Sequence, residues 1–297
     1  MRLVIARTVA ALAAAAAITA AVRPGEDARS IVAERAAKLT RDSVWTRAGA
    51  VRMQFRTWHP QGLVKIDRTL FLSAVEARSS DRREGAGHLF KIDMAGVLVA
   101  DLTLGEGAIF HPGGIDYDGR DIWVPVAEYR PDSRSIVYRV DPDAMKATEV
   151  FRFADHLGAI VHNTDDRTLH GVSWGSRRFY RWSDEHPGAA PTSTLNPSHY
   201  IDYQDCKYAG ARRMLCSGVA EMRQDAQQAP FRLGGIDLID LAAGRPIHQA
   251  PVPLWTTGGL SMTQNPVWLE PTATGVRGYF VPEDDVSTLY MYDVEVR

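Results

Sequence analysis

Four histidines recur along the chain at the head of similar strings: His59 in HPQGL, His111 in HPGGI, His156 in HLGAI and His199 in HYIDY. Seventeen residues after the first three stand Glu76, Glu128 and Ser173. Imidazole beside carboxylate suits general acid–base catalysis, because the carboxylate orients the ring and the ring moves the proton. The same two side-chain types also ligate divalent transition metals. Equal spacing implies equal positions in a repeated unit, so these residues are expected to converge on one concave face. Gln61, Trp174 and Glu283 (the last within YFVPED) belong to the same expected face. In that arrangement His111 or His156 is the base of a lactone- or ester-type hydrolysis, and Glu128 or Glu76 orients it. His59, Gln61, Ser173, Trp174, His199 and Glu283 then hold a small polar ligand. A divalent metal suits this set. The rival reading is a non-catalytic binding or scaffold module, in which each histidine caps a strand and was multiplied by repeat copying.

Other chemical motifs lead nowhere. Ser173 and Ser217 lie outside a GxSxG elbow. HNTDD at His162 falls at a hairpin tip and reads as a turn. No Gly-rich phosphate loop occurs.

The histidine strings begin blocks spaced 52, 45 and 43 residues apart, and TTGGL at Thr256 opens a fifth block 57 residues after His199. Each block continues with a turn and a second apolar strand, such as TLFLSAV, DIWVPVA or TLHGVSW. A third strand ends at Asp93, Asp141, Ser183, Asp240 or Asp293, and a fourth leads onward. Period-2 alternation with Gly, Asp and Pro punctuation marks strands, and repeated four-stranded units mark a β-propeller. The expected fold is all-β with five blades. The fifth block lacks an outer strand, whereas AVRMQFR (50–56) precedes the first block without a block of its own. Pairing of 50–56 with Leu289 to Asp293 would close the ring and remove an open edge. A six-bladed ring is the rival, and it needs more than one strand from Val44 to Arg56.

Three segments are expected: a signal peptide over 1–22, a short helix and linker over 23–45, and the propeller over 46–297. Arg2 and Arg7 precede an uncharged Ala-rich run that is too short to span a bilayer but suits a secretory h-region. The address is therefore secreted or periplasmic. Cys206 and Cys216 flank KYAGARRML and face each other if the hairpin tip is at Ala211, so a cross-strand disulfide is expected in that oxidising context. Residues 26–40 carry helical spacing of Ile31, Val32, Ala36 and Leu39. The formal net charge of −2 leaves no basic excess for nucleic acid, and no other run is long enough to cross a membrane. The expected partner is a small molecule, and the expected state is a monomer.

The strings HPGGIDYDGRDIWVPVAEYRP, LHGVSWGSRRFYRW, IDYQDCKYAGARRMLCSG and GLSMTQNPVWLEP resemble those of an uncharacterised family of secreted β-propeller proteins. That resemblance implies the fold and no activity. HPQGLVKIDRTLFLSAVE is similar, more distantly, to the first blade of the five-bladed glutaminyl-peptide cyclotransferases, with Gln61-Gly62-Leu63 matching their opening. This second resemblance implies cyclotransferase-like chemistry, although the glutamate of their next strand aligns near Leu72 here.

Overall fold

Strands dominate because the apolar positions alternate in short runs broken by turns. The computed structural model describes residues 28–223, 225 and 230–296. Five antiparallel sheets form a ring. Blade 1 runs His59–Ile66, Thr69–Ala77, Gly85–Asp93 and Leu98–Leu104. Blade 2 has a broken inner strand, Ile109–Pro112 and Asp116–Tyr117, then Ile122–Glu128, Ser135–Asp141 and Lys146–Phe153. Blade 3 is Leu157–Asn163, Thr168–Ser173, Arg178–Ser183 and Thr192–Leu195. Blade 4 is Asp202–Tyr208, Arg213–Met222, Phe231–Asp240 and Arg245–Val252.

Blade 5 takes Val267–Pro271, Gly275–Phe280 and Thr288–Glu295 from the end of the chain, and its outer strand, Trp45–Arg52, from the beginning. The closing register runs from Trp45↔Val294 to Arg52↔Thr288. The closing strand is thus shifted from the expected 50–56. Beyond Arg52 the chain turns away: the Met53 amide donates to Ser287 and the Gln54 amide to Gly96 in blade 1. Val44 to Arg56 supplies one strand, so the ring has five blades.

Burial grades outward through each blade. In blade 1 the second strand is buried from Leu70 to Val75, whereas the outer strand alternates. The inner strands are apolar on both sides because both sides are covered. Leu63, Leu72 and Phe90 of blade 1 pack with Tyr279, Val281 and Leu289 of blade 5. On its other side, Val64, Phe71 and Leu89 meet Ile115, Ile122 and Val124 of blade 2.

At the axis the backbones come so close that a side chain has no room. A Cβ on Gly62 would stand 2.6 Å from the Ile115 amide, and one on Gly114 2.8 Å from the Asp205 Cα. This close approach explains the glycine three residues after His59 and His111. Two buried carboxylates then tie the strands together. Asp205 of blade 4 accepts from the amides of Leu63 at 2.9 Å and Ile115 at 3.1 Å, and pairs with Lys207. Lys207 Nζ also donates to the Ile115 carbonyl at 2.6 Å. Asp116 of blade 2 accepts from His162 in blade 3 and Tyr208 in blade 4. The axis is therefore filled at mid-height.

The helix expected before the ring spans Ala28–Ala36. Val32, Ala33, Ala36 and Leu39 join the core between blades 4 and 5. Arg29 donates to the Tyr117 carbonyl, and Arg35 to those of Thr272 and Gly275, all on the lower hairpin tips. Cys206 and Cys216 pair directly across their hairpin and form a disulfide, with Gly210, Ala211 and Arg212 all at positive φ in the tip. The proposed signal segment 1–22 lies outside the described residues. Among the described residues no helix is long and apolar enough to cross a membrane.

Candidate ligand site at the axial mouth

The inner strands of blades 1 to 4 each carry a bulge near their upper end, beside His59, His111, His156 and Asp202. The bulges fall between Pro60 and Gly62, Ile109 and His111, Leu157 and Ala159, and Tyr203 and Asp205. Above Asp205 they leave an open cavity of about 580 Å³. Six of the ten residues expected on this face line it: His59, Gln61, His111, His156, Ser173 and Trp174.

The other four lie elsewhere. Glu76 is bound by Arg78, which holds its carboxyl below the usual range. Burial pushes the Glu128 carboxyl up, but hydrogen bonds from Arg134 and Arg130 outweigh it, and the net direction is down. Neither glutamate orients a histidine ring in the cavity. The reason is strand geometry. His59 pairs with Val75 and His111 with Ala127, and opposite residues share a face. Glu76 and Glu128, one residue further on, therefore point the other way. Glu283 accepts from the Thr288 amide and the Tyr290 hydroxyl. His199 is exposed on the connection before blade 4, and the position equivalent to His59 and His156 is taken by Asp202.

Two histidines form a desolvated pair. His111 is 5% exposed and has no hydrogen-bond partner among the described residues, with its Nδ1 buried. Its ring stacks on Tyr129 at 4.0 Å and lies 5.4 Å from that of His156. Burial, with the neighbouring His156, His59 and Arg82, holds the His111 ring well below its ordinary pKa. His156 Nδ1 donates to the carbonyls of Glu128 at 2.9 Å and Arg130 at 3.1 Å, which fixes its tautomer. Burial outweighs those bonds and lowers its pKa to about 4. Both rings are neutral at pH 7. Trp174 stands edge-on to His156 at 4.7 Å, on a turn with Gly175 and Ser176 at positive φ.

The third histidine is different. His59 Nδ1 donates to Asp284 at 2.8 Å, and Asn265 donates to the same carboxylate at 3.1 Å. Burial raises the Asp284 pKa, but the bond and charge of His59, the Asn265 bond and the Arg232 charge together outweigh it, and the net direction is down. Asp284 was missed in the sequence because Glu283, its neighbour, closes the strand motif. Arg82, Tyr129, Glu221, Arg232 and Gln264 also line the cavity. Most of them sit on or beside connections, where block spacing carries no information. Among the described residues no three His, Cys, Asp or Glu side chains are grouped to hold a metal ion.

A family model of unknown function, DUF6454, matches residues 18–297. The chain belongs to the DUF6454 family. No curated protein matches this DUF6454 chain in sequence. Solved structures match it in fold. A hypothetical protein from Leishmania major is 10% identical, with TM-score 0.53, over 84% of this chain and 90% of that one. The mannose phosphorylase MPT-4 from Leishmania mexicana, solved with phosphate, is 12% identical, with TM-score 0.50, over 83% and 88%. Hydrazine synthase from Kuenenia stuttgartiensis is 12% identical with TM-score 0.42, and the DUF6454 chain covers 59% of its length. At these identities the likeness is one of fold.

Proposed function

We propose that this exported propeller binds a small polar ligand in the axial mouth. One observation carries the reading. His111 is a buried imidazole in the wall of an open cavity, and among the described residues no protein group bonds its buried Nδ1. Leaving a buried polar group unpaired costs about 1–3 kcal/mol, a cost that a ligand entering the cavity would offset. Leu in place of His111 is expected to raise stability while removing ligand binding, the trade found where a site is built against stability. Thermal-shift and calorimetric titrations of neutral and charged polar solutes test it. If no solute binds the parent, or if His111→Leu binds as the parent does, the reading fails and the scaffold role gains.

Hydrolysis is the chemistry that a second observation favours, with a different base from those expected. The imidazole–carboxylate pair that lines the mouth is His59–Asp284. With Nδ1–H committed to Asp284, Nε2 is left to take a proton from water. The water oxygen attacks an ester or lactone carbonyl, the acyl C–O bond breaks, and the proton passes from Nε2 to the leaving oxygen. A screen of esters and lactones tests this step: Asp284→Asn should lower kcat far more than KM. A parent with no turnover on any of them, or an unaltered kcat in this variant, rejects the hydrolytic reading and leaves binding.

A further inference from the structure

Charges around the mouth are almost all spent. Arg232 pairs with Glu221 at 2.7 Å, Asp202 with Arg177 at 2.8 Å, and Asp284 with His59 at 2.8 Å. Arg82 is the exception: among the described residues no carboxylate lies within ion-pair distance of it. It lies over the Tyr129 ring at 4.4 Å, and the same ring stacks on His111. An aromatic face holds a guanidinium in place while leaving its N–H edge open.

The loop that carries Arg82 is built rather than slack. Ser79 Oγ accepts from the amides of Arg83 at 3.0 Å and Glu84 at 3.1 Å, and the Arg82 amide donates to the Ser79 carbonyl. The loop base is closed by the Arg78 amide on the Glu84 carbonyl at 2.8 Å. Arg82 itself has φ 57°, a left-handed conformation that a non-glycine residue adopts at a cost. The mouth therefore presents one fixed cation with an open planar fork. Beyond Tyr129 stands Trp174, which is 37% exposed within the cavity and lies 6.2 Å from Tyr129 between ring centroids.

Granting that the mouth is a ligand site, we infer that its ligand is an organic acid, with its carboxylate on Arg82 and a flat or ring-shaped body against Tyr129 and Trp174. The guanidinium fork matches a carboxylate with two parallel hydrogen bonds, which an uncharged amide cannot reproduce. An exposed arginine alone would be an ordinary surface residue; here the stacking, the strained backbone and the unmatched charge coincide at one cavity wall.

Calorimetric titration at low salt, with benzoate and 4-hydroxyphenylacetate against benzamide and 4-hydroxyphenylacetamide, tests the inference. The parent should bind the acids about tenfold or more tighter than the amides, as expected for a lost charge-assisted pair. Arg82→Gln should erase that preference, the acid affinity falling to that of the amide, with the melting temperature unchanged. Arg82→Lys, which keeps the charge and loses the fork, should keep only part of it. Acids and amides that bind the parent equally, with binding lost in His111→Leu, overturn the organic-acid inference and leave the mouth reading intact. A preference for acids that survives Arg82→Gln also overturns it. No binding of either acid overturns it outright, and the mouth reading then rests on the wider solute titrations.

Discussion

Replacing Asp205 by Ala removes one of the two buried carboxylates that each join three blades. Its oxygens accept from Leu63 and Ile115 and pair with Lys207, and the side chain has no exposure. The variant strands a buried ammonium, which costs about 3–5 kcal/mol when a buried pair is broken. It also leaves two buried amides without acceptors, at about 1–3 kcal/mol each where no water replaces the partner. Some relaxation is certain, so a net loss of about 5 kcal/mol is expected, a large share of a typical 5–15 kcal/mol of stability. Lys207→Met should cost less, because the carboxylate keeps both amides and burial already favours its neutral form. Asp205→Ala with Lys207→Met should lose at least about 2 kcal/mol less than the sum of the single losses, because the stranded ammonium is gone. Urea unfolding of the four proteins measures this cycle. Additive losses within about 0.5 kcal/mol, or a loss below about 1.5 kcal/mol for Asp205→Ala, would refute the reasoning that Asp205 ties the axis together.

Two further outcomes are expected. Deletion through residue 57 should expose the Thr288–Glu295 edge and produce aggregation in light scattering, whereas deletion through residue 27 keeps the closing strand and the helix; a monomeric, equally heat-resistant product of the longer deletion contradicts ring closure. Asp237 accepts from Tyr203 and Gln249 but leaves Oδ1 buried and unpartnered, and burial raises its pKa to about 6. The folded state thus favours the protonated form, a contribution present below the unfolded pKa near 4 and lost as pH rises through 6. Asp237→Asn should therefore stabilise by roughly 1–3 kcal/mol at pH 8 relative to its effect at pH 4, and urea midpoints that shift equally at both pH values speak against this account.

The blades, the closing blade and the disulfide were legible in the sequence because each rests on spacing that the backbone must obey. Pairing about Ala211 set Cys206 opposite Cys216. The site was legible only in part, because spacing locates a backbone position and says nothing of which face its side chain takes. Glu76 and Glu128 stand one residue past the partners of His59 and His111, so the alternation of the strand turns them toward the arginines. His199 misled for a different reason. It precedes a strand whose bulge falls at Gln204, three residues later than a histidine register implies, and Asp202 fills the place. Arg82 and Tyr129 sit in or beside turns whose course depends on local hydrogen bonds such as those to Ser79. Asp284 was hidden by an adjacent glutamate of the same charge.

The filled axis limits how anything can reach the mouth. Asp205, Lys207 and Asp116 stop the passage at mid-height, and the helix from Ala28 to Ala36 lies on the lower hairpin tips beneath it. Among the described residues the cavity is closed below, a cup rather than a tunnel. A long polymer cannot be threaded through it; it can dip in only an end or a projecting side group. Whatever enters must back out along the same path, so a departing molecule and an arriving one compete for the same opening.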